Sequence, residues 1–151
     1  MEAAAPAPRV IPTFEIDIDA PNGWTVERDL GPFAVMARPM AWPNLPRPVV
    51  NVLTIPFEGD SIDEYVDIQL RDLRSTLGGV RLLQLDVSGG SPPELRLLAA
   101  FEGMGADLTC YQRQLLWVGT RAVVVTATAT DQDWPEVVEP MLRAVHSVRT
   151  G

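Results

Sequence analysis

Apolar and polar residues alternate along much of the chain with the two-residue period of β-strands. The clearest case spans residues 115–130, where two apolar runs flank the dipeptide Gly119-Thr120. Glycine at the first central position of a two-residue loop suits a type II′ turn, and the β-branched residues that follow favour a pleated, half-buried surface. The pattern therefore predicts a β-hairpin in which Leu116 lies opposite Val123.

The same period predicts further strands on both sides of this hairpin. They cover residues 14–18, 25–30, 33–37, 49–57, 80–87 and 94–103. The segment 49–57 is apolar on both faces, so we expect it inside the sheet. Four prolines make residues 39–48 a loop, because proline cannot donate to a ladder.

Two segments have the helical spacing of apolar residues. Residues 61–77 begin with Ser61 as N-cap and Glu64 three residues later, which is a capping box. Residues 133–148 begin with Asp133 as the expected cap. Because Pro140 removes one backbone hydrogen bond, we expect a break there and the main helix from about Glu139. The predicted class is α+β, an α/β/α sandwich with a mainly antiparallel twisted sheet of about six to seven strands.

The chain length and the net charge limit the number of domains and the classes of partner that we expect. We expect a disordered tail over residues 1–11 and one domain over 12–150. The net charge of −8 argues against nucleic acid and anionic membrane surfaces as main partners. All basic residues are arginine, which is typical of a GC-rich, actinobacterial genome. With one cysteine, no leader-like start and no long apolar stretch, we expect a cytoplasmic protein without membrane insertion.

The sequence offers no catalytic signature. His146, near the end of the last helix, is interpreted as a surface or capping residue, and Cys110 as a buried small hydrophobe. Acidic residues at 15–19 and 131–136 suit a solvated strand face and a helix start. We expect no cofactor, no bound metal and no enzymatic activity.

Large aromatic residues next to arginine indicate a candidate partner-binding surface. We assign Trp42, Tyr111, Arg113 and Trp117 to it, because such mixtures are enriched at protein interfaces. The alternative is that Tyr111 and Trp117 pack under the final helix with their polar tips satisfied.

Three motifs in the chain resemble one superfamily, the PsbP-like and DcrB-like domains, which includes the LpqN-type actinobacterial lipoproteins. They are Phe14-x6-Pro21-x-Gly23-Trp24, then Asp63-Glu64-Tyr65-Val66-x-x-Gln69-Leu70-x-x-Leu73, and a last third with Gln112-x-Gln114, a glycine turn and His146-Ser147-Val148-Arg149. The resemblance covers nearly all of residues 13–149. The proline-rich stretch 39–48, Pro140 and the absence of a lipid-bearing leader depart from it.

The resemblance implies a non-enzymatic protein-binding module. Members of the superfamily include photosystem extrinsic subunits and chaperones of type VI secretion effectors, so the implied partner is a protein, such as a secreted or membrane protein segment. A homodimer is a further expectation. The alternative hypotheses are a carrier of a small apolar ligand or lipid in envelope metabolism, and an enzyme with a dispersed site.

Overall fold

A computed structural model describes residues 16–27, 33–37, 47–103 and 105–150. The predicted tail over 1–11 and most of the proline-rich stretch, including Trp42, lie outside the described residues. The elements in chain order are β1 (Ile16–Asp17), β2 (Thr25–Glu27), β3 (Phe33–Ala37), β4 (Val49–Pro56), α1 (Ile62–Thr76), β5 (Gly78–Ser88), β6 (Glu94–Gly103), β7 (Ala106–Trp117), β8 (Arg121–Thr130), α2 (Trp134–His146) and β9 (Arg149–Thr150).

The main sheet is antiparallel, with the strand order β2-β3-β4-β8-β7-β6-β5. Its body is the five long strands β4 to β8, and the short strands β1 and β9 pair separately. β4 lies between β3 and β8, which confirms its predicted place inside the sheet. The α+β class, with an antiparallel sheet and two helices, is as predicted.

The helices lie on opposite faces of the sheet. α2 packs on β4, β7 and β8. Its buried residues are Val137, Met141, Ala144 and Val145. The strand residues in the same apolar layer include Val50, Val52, Leu115, Val123, Val125 and Ala127. Each strand contributes alternate residues to this layer, as a pleated strand requires.

α1 covers part of the other face through one buried residue, Tyr65. The helix begins as predicted, because the Glu64 amide donates to the Ser61 hydroxyl at 3.1 Å. The Tyr65 hydroxyl donates to the Gln114 carbonyl oxygen, and the Gln114 amide donates to Gln112 at 2.8 Å. Gln112 and Gln114 of β7 therefore interrupt the apolar layer, but the side-chain groups that join them to Tyr65 are hydrogen-bonded.

The predicted register of the β7–β8 hairpin is wrong by one residue. Leu116 lies opposite Ala122, and Leu115 lies opposite Val123. The loop has three residues, since Trp117 pairs with Arg121 and the Thr120 amide donates to the Trp117 carbonyl at 3.0 Å. Because a one-residue slip moves every side chain to the other face, the odd-numbered residues of β7 share the face that α2 covers.

The predicted break at Pro140 is also wrong. α2 is continuous from Trp134 to His146, although proline inside a helix costs about 3 kcal/mol. Val137 on one side of Pro140 and Met141 on the other are buried, and burying a large aliphatic side chain contributes about 1.5–3 kcal/mol. Asp133 stands at the N-cap of α2 as predicted, but its side chain makes no capping hydrogen bond.

Candidate partner-binding surface

The face of the sheet that α2 occupies is wider than the helix. α2 packs on β4, β7 and β8, and β6 and β5 continue the same face beyond it. By register, Leu98 of β6 lies opposite Tyr111, and Arg96 lies opposite Arg113. We use the name shelf for the surface formed by Arg96, Leu98, Tyr111 and His146, which lies beside the C-terminal end of α2.

Tyr111 and His146 form the aromatic part of the shelf. The Tyr111 hydroxyl and His146 Nε2 are 3.1 Å apart, and the ring centroids are 5.7 Å apart. Burial raises the pKa of Tyr111, whereas partial burial of the ring, followed by the positive charge of Arg113, lowers the pKa of His146 below its usual 6.5. Both rings are therefore uncharged at neutral pH, and each presents a polar tip on an apolar body.

Arg113 lies beside this pair, and its side chain is mostly buried. Its Nε and Nη2 donate to the Glu94 carboxylate at 3.0 and 3.2 Å, which is a bidentate ion pair. Both side chains are 17% exposed. Nη1 also donates to the carbonyl of Val145, 3.4 Å away, so Arg113 ties the last turn of α2 to the sheet. This geometry makes Arg113 a positioning residue for the shelf.

The outward positive charge of the shelf belongs to Arg96. Its Nε lies 3.5 Å from the same Glu94 carboxylate, and its side chain is 40% exposed. Leu98 next to it is half-buried. Sequence analysis missed Arg96, Leu98 and His146 as site residues. The alternation of outward and inward residues along β6 could have indicated Arg96 and Leu98. Their proximity to His146, however, depends on where α2 lies across the sheet.

The structure describes three of the four residues that the sequence grouped, and it separates one of them from the other two. Tyr111 and Arg113 belong to one surface. Trp117 lies six residues further along β7, about 20 Å from Tyr111 at the usual rise of a strand, where it packs half-buried against the α2 layer. Trp42 lies outside the described residues. The packing of Tyr111 and Trp117 against this layer is what the alternative interpretation expected, although Tyr111 keeps an exposed part.

Three features of the described residues bear on catalysis. Across 16–27, 33–37, 47–103 and 105–150, no group of three or more His, Cys, Asp or Glu side chains could hold a metal ion. Burial raises the pKa of the Cys110 thiol to about 11, so the thiol is protonated at neutral pH and a poor nucleophile. His146 contacts a tyrosine hydroxyl, and the arginines beside it contact a carboxylate. His146 and these arginines are therefore held by hydrogen bonds and ion pairs to neighbouring side chains.

No helix in the described part of the chain is long and apolar enough to cross a membrane. No family model matches the sequence, and no curated protein matches it. Solved structures do match. LpqN of Mycobacterium tuberculosis, involved in cell envelope biogenesis, is similar with a TM-score of 0.70 and 16% identity over 91% of this chain and 84% of LpqN.

Two other structures are similar. PA94 of Pseudomonas aeruginosa, a protein of unknown function, has a TM-score of 0.63 and 18% identity, over 82% of this chain and 94% of PA94. Cyanobacterial PsbP from Synechocystis has a TM-score of 0.51 and 9% identity, over 98% of both chains. At these identities the likeness shows the fold alone: the chain has the α+β fold of the PsbP-like proteins.

Proposed function

We propose that this chain is a non-enzymatic protein-binding module and that the shelf is its contact surface. The observation that carries the proposal is the uncovered part of the α2 face. There a half-buried leucine, a tyrosine–histidine pair and a partly exposed arginine lie next to one another on two strands and a helix end. Aromatic and arginine side chains are enriched at protein interfaces and carry much of the binding free energy.

The electrostatics of the shelf favour a protein partner. The chain has a net charge of −8, yet the shelf presents the guanidinium of Arg96 next to uncharged aromatic rings. A partner with an acidic residue beside an apolar side chain would pair with Arg96 and cover Leu98. The tie from Arg113 to Glu94 and Val145 keeps the shelf rigid, which reduces the entropy that binding costs.

Within this proposal the chain is a cytoplasmic adaptor or chaperone, as the DcrB-like resemblance implies. Its partner would be a secreted or membrane protein segment that the chain holds before export. The involvement of LpqN in cell envelope biogenesis supports a partner that is located in the cell envelope. Cell fractionation of the native host, followed by immunoblotting, tests the location separately from the binding.

A matched pair of charge reversals tests the shelf. Arg96→Glu and Arg143→Glu each change the net charge by the same amount, but Arg143 lies on the outer side of α2 with its side chain 70% exposed. Tagged wild type and both variants are expressed in the native host, and co-purified proteins are quantified by mass spectrometry. Purified candidates are then titrated by calorimetry.

We expect a partner that binds wild type and Arg143→Glu with equal affinity and Arg96→Glu about tenfold more weakly, as for loss of a contributing arginine. A partner that binds all three proteins equally would contradict the shelf as its contact surface. Circular dichroism of both variants shows whether the fold is kept.

A second candidate function, a carrier of a small apolar ligand, rests on the other face. There α1 buries Tyr65 but leaves Leu73 half-buried, and Leu85 of β5 beneath it is half-buried as well. If α1 moved away from the sheet, these leucines would line a cleft of the kind that holds an acyl chain. Native mass spectrometry of protein purified from its host tests this candidate: a bound lipid mass would support it, and the apoprotein mass alone would contradict it.

A further inference from the structure

β5 is the last strand in the order of the main sheet and pairs with β6. It is eleven residues long, and Leu83 is 54% exposed, with Leu82 and Val87 exposed as well. A long edge strand with exposed apolar side chains is a template for pairing with another strand. Natural edges are usually protected by charges or by coverage, so the apolar content of β5 requires an explanation.

A bulge in β5 places two oppositely charged residues on the same face of the strand. Arg81 lies opposite Ala100, and Asp86 lies opposite Arg96, with a register irregularity between Leu82 and Gln84. Ala100 and Arg96 are four residues apart on β6 and share a face, so Arg81 and Asp86 also share a face. In a regular strand, residues five apart would point to opposite faces. The extra residue therefore places one positive and one negative side chain on the same side of the edge.

We propose that β5 pairs with β5 of a second copy of this chain, antiparallel and centred between Leu83 and Gln84. A two-fold axis perpendicular to the sheet requires each pair of opposed residues to share a face, and the bulge meets this requirement. Arg81 then lies opposite Asp86 of the second copy, and by symmetry this ion pair occurs twice. On the opposite face, Leu82 meets Leu85, and Val80 meets Val87.

The charges within one copy leave room for these ion pairs. Arg81 is exposed and has no ion-pair partner among the described residues. Asp86 is exposed and accepts a hydrogen bond from the Gln84 amide on Oδ2, at 3.0 Å, which leaves Oδ1 for an arginine. Opposite charges directly across an antiparallel pair stabilise it, whereas like charges destabilise it. The edge is thus complementary to itself in charge and in apolar residues.

Self-pairing is measured on the purified chain alone and the shelf is tested with a partner protein, so each proposal can fail without the other, although Asp86 lies opposite Arg96 of the shelf. The test combines two charge reversals, Arg81→Asp and Asp86→Arg. Either alone places like charges opposite each other twice in the homodimer. In a mixed dimer of the two variants, every pair is again of opposite charge. Arg143→Asp, on the exposed side of α2, is the matched control for charge alone.

Sedimentation velocity up to about 100 µM measures the oligomeric state. We expect wild type and Arg143→Asp to dimerise. Each edge variant alone should have a dissociation constant raised about tenfold or more, and the equimolar mixture should recover the wild-type dimer. Hydrogen exchange should show the amides of residues 80–87 better protected in concentrated than in dilute wild type.

Three results would overturn the proposal. The first is a wild type that stays monomeric over the whole range. The second is a dimer that neither edge variant weakens. The third is a mixture of the two variants that dimerises no better than either variant alone, because only opposed edge residues predict that recovery.

Discussion

Replacing Tyr65 by phenylalanine should remove one buried hydrogen bond and little else. Tyr65 and the Gln114 side chain that accepts from it are each 1% exposed. The edge-to-face contact of the Tyr65 ring with Phe57, with centroids 5.1 Å apart, does not depend on the hydroxyl. The variant therefore leaves the Gln114 carbonyl oxygen buried without this donor, and a buried unsatisfied group costs about 1–3 kcal/mol.

A double-mutant cycle separates that cost from simple loss of a contact. Gln114→Leu alone leaves the Tyr65 hydroxyl unsatisfied and should cost a similar 1–3 kcal/mol. The double variant Tyr65→Phe/Gln114→Leu removes both groups and should be within about 1 kcal/mol of wild type. Gln112, which then loses the Gln114 amide, is half-buried and can turn to water.

Urea unfolding followed by tryptophan fluorescence measures each free energy, with an unchanged m-value as the check on two-state behaviour. Tyr111→Phe is the control, because its hydroxyl points to the exposed His146, and it should cost under about 0.5 kcal/mol. A cost for Tyr65→Phe as small as that of the control would refute the reasoning.

Three further predictions concern burial and charge. Met141→Ala should lower the free energy of unfolding by about 2–5 kcal/mol in urea, whereas Leu70→Ala, at a half-buried position, should lower it by less. Cys110 should react with a thiol reagent slowly in the native state and rapidly in urea, because burial keeps the thiol protonated. Proton NMR of His146 should give a midpoint below that of the urea-unfolded chain.

The same His146 shift predicts a pH dependence. Because its pKa is lower in the folded than in the unfolded protein, the unfolded state binds more protons, and stability falls as pH decreases through the unfolded value of about 6.5. The variant His146→Gln should lack this loss between pH 7 and the folded midpoint. Equal pH dependence of both proteins in urea unfolding would contradict the assigned shift.

Much of the fold follows from local signals in the sequence. The strand period located the long strands, and Ser61 with Glu64 located the start of α1. The hairpin register did not follow, because Gly119 suits both a two-residue and a three-residue loop, with φ of 79° in the latter. Continuity of α2 through Pro140 did not follow either, since it depends on tertiary burial of Val137 and Met141.

The candidate surface was predictable only in part. The composition of β7 indicated Tyr111 and Arg113, but the one-residue slip assigned the wrong residues of β8 as their neighbours on that face. Whether a residue on that face is covered or exposed depends on the width of the sheet relative to α2, which no local pattern contains. For this reason only the structure identifies Arg96 and Leu98 as part of the surface. It also assigns Trp117 to the apolar layer under α2.

The central claim is that a protein partner covers the shelf, and site-specific photocrosslinking in the native host tests it most directly. A photoreactive amino acid replaces Leu98 on the shelf or, as the control, Arg143 on the outer side of α2. The account predicts a discrete crosslinked protein from position 98 that is lost when Arg96→Glu is added, and no such product from position 143. Identical products from both positions, or none from position 98, would contradict it.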